Sequence, residues 1–233
     1  MQVDSGRWNR VRRIYEIIGR LRSESGCPWD RKQTPESVQT YLIEEAHEAA
    51  AAVRAGLAGE AAEELGDLLF MVLFLIHLYE ERQDFRLEEV CDLICEKMIR
   101  RHPHVFGDTT VGSTQEVKDN WEKIKAGEKA SSGKEDSIIP ESLPALMRAY
   151  RMLSRTSGTK RSGLDDTGSR AAEFVSRSRT LGELVTRGAP VSGELLGDLL
   201  LALVDIARIQ GFRAEDCLHE RLKVLNGNEG ADA

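Results

Sequence analysis

No apolar run in this chain approaches the roughly 18 residues that a membrane-spanning helix needs, so the sequence offers no bilayer anchor. The opening stretch, Met1 to Arg13, is polar and lacks the apolar core of a signal peptide. Basic charge is also short. The 32 Lys and Arg stand against 39 Asp and Glu, for a net charge of −7. A protein that grips a nucleic-acid polymer through its phosphates needs the opposite balance; one that holds a small phosphorylated ligand through a metal ion does not. Cysteine is sparse, with four residues and no Cys-x-x-Cys pair, which disfavours a zinc site. Cys91 and Cys95 lie one helical turn apart and read as neighbouring core positions. All four read as reduced thiols of a cytoplasmic protein. Strand-like alternation is missing, as are a Gly-rich phosphate loop and a Gly-x-Ser-x-Gly elbow.

What remains is helical. Hydrophobic residues make up 41% of the chain and charged residues 30%, enough apolar content for a folded core rather than disorder. The 3.6-residue period predicts an all-α antiparallel bundle. Its helices are expected near Trp8–Leu21, Pro35–Arg54, Gly59–Arg82 and Arg86–Arg101, with a shorter one at Val117–Lys125. Thr34 and Pro35 suit the N-cap and first position of the second helix. The third helix is apolar around most of its circumference, which predicts burial in the bundle or at a homodimer interface. Gly127 to Pro140 is rich in Gly, Ser and Lys and reads as a flexible linker. Further helices are expected near Glu141–Ser154, Ser169–Val185, Gly193–Ile209 and Ala214–Leu225.

Leu65-Gly66-Asp67-Leu68-Leu69 recurs as Leu196-Gly197-Asp198-Leu199-Leu200, so the two halves read as tandem related modules. The expected division is a first module over 8–125, a linker over 126–140 and a second module over 141–226. The second copy has Leu195 opposite Glu64 and only scattered acids such as Glu173 and Glu183, so it reads as degenerate.

Chemistry concentrates in two acidic pairs, Glu45-x-x-Glu48 and Glu64-x-x-Asp67. On a helix that spacing puts both members on one face. Two such helices side by side would gather four carboxylates, which repel unless a cation sits among them, and hard divalent ions prefer oxygen. Glu64 and Asp67 also lie on the most apolar helix, where unpaired carboxylates are costly. A solvated acidic face is the competing reading. Lys97, Arg100 and Arg101 close the fourth helix, either as cations suited to a helix C-terminus or as donors to phosphate. Trp29 and Trp121 either cover core edges or stack on a nucleobase. Glu44-x-x-His47 resembles half of a di-iron motif, but its nearest partner is only Asp216-x-x-His219, which disfavours that chemistry.

In order along the chain, several segments closely resemble the MazG family of nucleoside triphosphate pyrophosphohydrolases. They are Gly26-Cys27-Pro28-Trp29-Asp30 with Gln33-Thr34, Tyr41 to Glu48, Glu63 to Phe70, Arg100 to Asp108, and Asn120 to Lys125. The likeness covers about residues 8–125, and Ser142-Leu143-Pro144-Ala145-Leu146 is similar to the start of a second family module. The resemblance implies an all-α fold of associated subunits. It further implies Mg²⁺, or Mn²⁺ in its place, held by Glu45, Glu48, Glu64 and Asp67, with Glu44 beside it binding a second ion or orienting water. By the same resemblance Glu44, Glu45 and Glu48 are catalytic, Lys97, Arg100 and Arg101 contact the triphosphate, and Trp121 and Trp29 contact substrate.

The implied reaction cleaves a nucleoside triphosphate between its α and β phosphates, giving the monophosphate and pyrophosphate in nucleotide-pool house-cleaning. Two alternatives stay open: a narrow dUTP or dCTP pyrophosphatase with the same acids, and a catalytically silent nucleotide-sensing or interaction module.

Overall fold

The computed structural model describes residues 5–132, 139–159 and 165–228, which form two compact units divided between Ser132 and Gly133. No strand occurs among the described residues.

The first unit begins with α1 (Ser5–Arg22), which leads through a short 3-10 turn (Asp30–Lys32) into α2 (Pro35–Ala55). Gly26 is required in the loop that folds back on the end of α1, because a Cβ there would collide with the carbonyls of Arg20 and Leu21. Arg22 fixes the loop that follows. Its guanidinium donates to the Asp30 and Gln33 carbonyls and pairs with Glu81 at 2.6 Å.

Thr34 caps α2 as its sequence requires: its hydroxyl accepts from Ser37 N while Ser37 Oγ accepts from Thr34 N. Gly56, at φ +73°, ends α2 in the left-handed conformation that glycine adopts without strain. Only Gly56 and Leu57 separate α2 from α3 (Ala58–Glu81), so the two helices fold back as a hairpin and pack along their length.

Ile18, Val38, Leu73, Phe74 and Leu78 form the core, flanked by Val11, Ile14, Tyr15, Phe70 and Leu87. On α1 the apolar positions Val11, Ile14, Tyr15 and Ile18 recur with the helical period and make the face that packs on this core. Burial on α3 is confined to its second half. Leu65, Leu69 and Val72, in the first half, are 51%, 39% and 40% exposed in the single chain.

Next come α4 (Leu87–Arg101), the one-turn α5 (Pro103–Phe106) and α6 (Thr114–Ser132), the last packed on α4. Cys91 and Cys95 are exposed on α4 rather than placed in the core, because the buried edge of that helix is limited to a few partly covered positions. Helix α6 continues well past Lys125. Residues 126–132, expected as linker, are helical, since Ala126, Glu128, Lys129 and Ala130 are good helix formers that outweigh Gly127. Residues 133–138 of that expected linker lie outside the described residues.

The second unit holds α7 (Ala145–Thr159), α8 (Asp165–Thr186), α9 (Gly193–Ile209) and α10 (Ala214–Asn228). Its apolar α9 packs against the other three and buries Leu199 and Val204. Ser192 caps α9 by accepting from Leu195 N. Asp205, only 4% exposed, is held by Arg208 at 2.7 Å.

Candidate active site

The α2–α3 hairpin carries the acids. Glu45 and Glu48 stand one turn apart on α2, and Glu64 faces them from α3. One carboxylate oxygen from each lies within 4.8 Å of the others. That is a separation at which a single cation of oxygen preference can bridge them. Asp67 falls outside this trio and is exposed, yet it is close enough to act on both neighbours. Partial burial, and then the charges of Asp67, Glu48 and Glu44, push the Glu45 carboxyl above the usual carboxylate range. Glu64 is pushed up as well, by burial first and then by Glu48, Glu45, Asp67 and Glu63. No Lys or Arg pairs with Glu45, Glu48, Glu64 or Asp67 among the described residues, so the cluster is an uncompensated negative centre. The donor set, all carboxylate, fits a hard divalent cation. Glu44 is exposed on the next position of α2.

The cations of α4 are placed differently from their sequence reading. Arg100 Nε reaches Glu128 Oε1 at 2.7 Å, and Arg101 Nη2 reaches Glu128 Oε2 at 2.6 Å. One carboxylate from α6 thus holds both guanidiniums, and they hold its pKa down at about 2. Trp121 covers the same spot, with the Arg101 guanidinium 5.2 Å from its ring and the His102 ring 4.9 Å away, edge to face. Lys97 is half-buried with no ion pair among the described residues. Trp29 sits apart from this group, 55% exposed, in edge contact with Tyr41 at 6.0 Å. Glu128 escaped sequence reading because it lies in the segment read as linker.

The second unit offers a contrast. Asp198, the counterpart by pattern of Asp67, meets Arg177 at 3.2 Å, and Arg177 also pairs with Glu173 at 2.8 Å. Leu195 stands where an acid would be needed. A guanidinium supplies the countercharge there, and no second acidic cluster occurs among the described residues.

Residues 33–106 match the model of the MazG nucleotide pyrophosphohydrolase domain. The chain is 36% identical over 221 residues to the nucleoside triphosphate pyrophosphohydrolase of Escherichia coli K12, covering 91% of this chain and 82% of that one. It is 37% identical over 211 residues to the nucleoside triphosphate pyrophosphohydrolase/pyrophosphatase MazG of Thermotoga maritima, covering 89% and 79%. The crystal structure of a MazG-related protein from Thermotoga maritima aligns with 30% identity and a TM-score of 0.44, over 49% of this chain and 98% of that one. Sequence likeness of that extent, in a chain whose described residues form helices and no strand, places this protein in the MazG family of nucleotide pyrophosphohydrolases, enzymes that hydrolyse acid anhydrides.

Proposed function

We propose that this chain hydrolyses nucleoside triphosphates between the α and β phosphates, releasing the nucleoside monophosphate and pyrophosphate. The observation that carries this reading is the convergence of Glu45, Glu48 and Glu64 within 4.8 Å and without a cationic partner. Mg²⁺, or Mn²⁺ in its place, would be held by Glu45, Glu48 and Glu64 with Asp67 closing the set. Such an ion supplies neutralisation of phosphate charge and a more acidic water.

The chain's own groups do the rest. Glu44 would orient the attacking water and take its proton, while Glu45 and Glu48 would act through the ion they hold. Lys97, Arg100 and Arg101 are the positive groups for the departing pyrophosphate, and Trp29 and Trp121 are the surfaces for the nucleoside. The arginines reach phosphate by exchanging Glu128 for it, carboxylate and phosphate oxygens being equivalent acceptors for a guanidinium fork.

The second unit reads as a related copy whose acid set has been lost to Leu195 and Arg177. The exposed Leu65, Leu69 and Val72 on α3 support a homodimer. A broad role in clearing the nucleotide pool of the cytoplasm follows from the same reading.

The test is pyrophosphate release from a panel of eight ordinary nucleotides with Mg²⁺. Glu48→Gln and Asp67→Asn are each expected to abolish turnover while the helical circular dichroism stays unchanged. Undiminished release from either variant refutes the assignment, and a panel confined to dUTP or dCTP points to the narrow enzyme instead.

A further inference from the structure

Beside the acidic cluster lies a small hollow of about 190 Å³, and Glu45 forms part of its wall. Trp29, Tyr41, Phe70 and Phe74 supply aromatic faces, and Asp30 and Gln33 supply polar atoms. Its size falls below the ~300–1,000 Å³ of pockets that enclose whole drug-sized ligands. One planar heterocycle suits it. A base seated there would leave its phosphates next to Glu45.

The hollow is rigidly framed. Arg22 stacks on Phe74 at 5.8 Å and donates to the carbonyls of Asp30 and Gln33, which fixes the loop that forms one side. The Gln33 amide is already committed. Its oxygen accepts from Ser37 Oγ at 2.7 Å and its nitrogen donates to the Trp29 carbonyl at 3.1 Å, so it positions Trp29 rather than reading a ligand. Asp30 differs. It is half-buried in the same wall, and its carboxylate has no hydrogen-bond or ion-pair partner among the described residues. A carboxylate beside apolar rings seeks donors.

We propose that this hollow is the nucleobase subsite and that Asp30 selects bases by the donors on their edge, favouring guanine. This rests on the pyrophosphohydrolase reading of the neighbouring acids. Guanine presents two parallel N–H donors, from its ring nitrogen and its amino group, that match both oxygens of one carboxylate. Adenine and cytosine present one amino donor beside a ring-nitrogen acceptor, so they gain one bond and meet one repulsion. Uracil and thymine place their single N–H between two carbonyl oxygens, which the carboxylate repels. A site built around such a bond rejects analogues that cannot make it more strongly than a merely apolar pocket does.

The experiment compares GTP with UTP for turnover, and GMP with UMP for binding by titration calorimetry, in the full chain and in Asp30→Asn and Tyr41→Leu. An amide at position 30 can both donate and accept, which matches uracil as well as guanine. We expect wild-type kcat/KM for GTP to exceed that for UTP at least tenfold, mostly through KM. Asp30→Asn should bring the two within threefold, and Tyr41→Leu should raise KM for every nucleotide while the GTP preference stays. Equal use of GTP and UTP by the wild type, or a preference unchanged in Asp30→Asn with its thermal unfolding intact, overturns the assignment. The readouts separate the two proposals. Absent turnover of every nucleotide with GMP still bound more tightly than UMP defeats only the catalytic reading, whereas turnover without base discrimination defeats only the subsite.

Discussion

Arg101 and Glu128 meet at 2.6 Å, and the same carboxylate takes a second bond from Arg100 at 2.7 Å. Helix α6 thereby holds two cations that the proposed reaction needs for phosphate. The Glu128 carboxyl, at about 2 when folded, lies below its value in an unfolded chain. A depressed acid contributes stability that is present above the unfolded value and lost as pH falls toward the folded one.

Glu128→Gln is therefore expected to lower the melting temperature at pH 7, with the gap to wild type closing between about pH 5 and 2. With less competition for the arginines, the same variant should show a lower KM for nucleoside triphosphate. Melting curves across that pH range and one kinetic titration check both. A KM unchanged by the substitution would mean that the arginines serve the α4–α6 contact alone.

The acidic cluster predicts the opposite pH behaviour. Glu45 and Glu64 are raised, so the folded chain binds their protons more tightly than the unfolded chain does. The metal-free cluster is then least favourable at neutral pH and is relieved as pH falls through the raised values. Glu64→Gln should raise the melting temperature of chelator-treated protein at pH 7.5, with a smaller gain at pH 5, and should lose most of the stabilisation that Mg²⁺ gives the wild type. Differential scanning fluorimetry with and without Mg²⁺ measures all three.

Two backbone positions test the hairpin and its far end. At Gly56, φ is +73° and an added Cβ meets nothing within 4 Å, so Gly56→Ala should cost about 1 kcal/mol through conformation alone. Gln83, at φ +61° just beyond α3, is the reverse case, and Gln83→Gly should gain up to ~1 kcal/mol. Urea unfolding of the pair reads both, and equal signs would contradict the assignment.

Packing supplies a further prediction. Leu78 is 2% exposed in the core of the first unit, so Leu78→Ala should cost about 2–5 kcal/mol. Leu69→Lys, on the exposed half of α3, should cost the monomer little yet abolish the dimer expected from light scattering at micromolar concentration.

Helix positions, the Thr34 cap and the acidic pairs were legible because periodicity, capping and i to i+3 spacing are local properties of a sequence. Helix spacing led to the expectation that Glu45, Glu48, Glu64 and Asp67 converge; a two-residue connection leaves α2 and α3 few ways to pack, and it brings the first three together while Asp67 stays outside the trio. Contacts between segments far apart in sequence were not. Glu128 lies 27 residues from Arg101, in a Gly-containing segment whose composition reads as linker, and nothing local in it says which helix it meets. The exposure of Cys91 and Cys95 was hidden likewise, because an apolar face says that something covers it without saying what.

The tight α2–α3 turn has a consequence for how the molecule comes into being. Fewer than twenty residues separate Glu45 from Glu64, and only a short loop has to close before their helices meet. Short sequence separation favours early pairing, so the hairpin is expected to bring the three acids face to face before α6 docks on α4. A nascent chain that has emerged as far as Glu81 carries every residue of the hairpin and so is expected to meet this repulsion before synthesis ends. Divalent ions present during synthesis would act on the assembly of this protein as well as on its finished form.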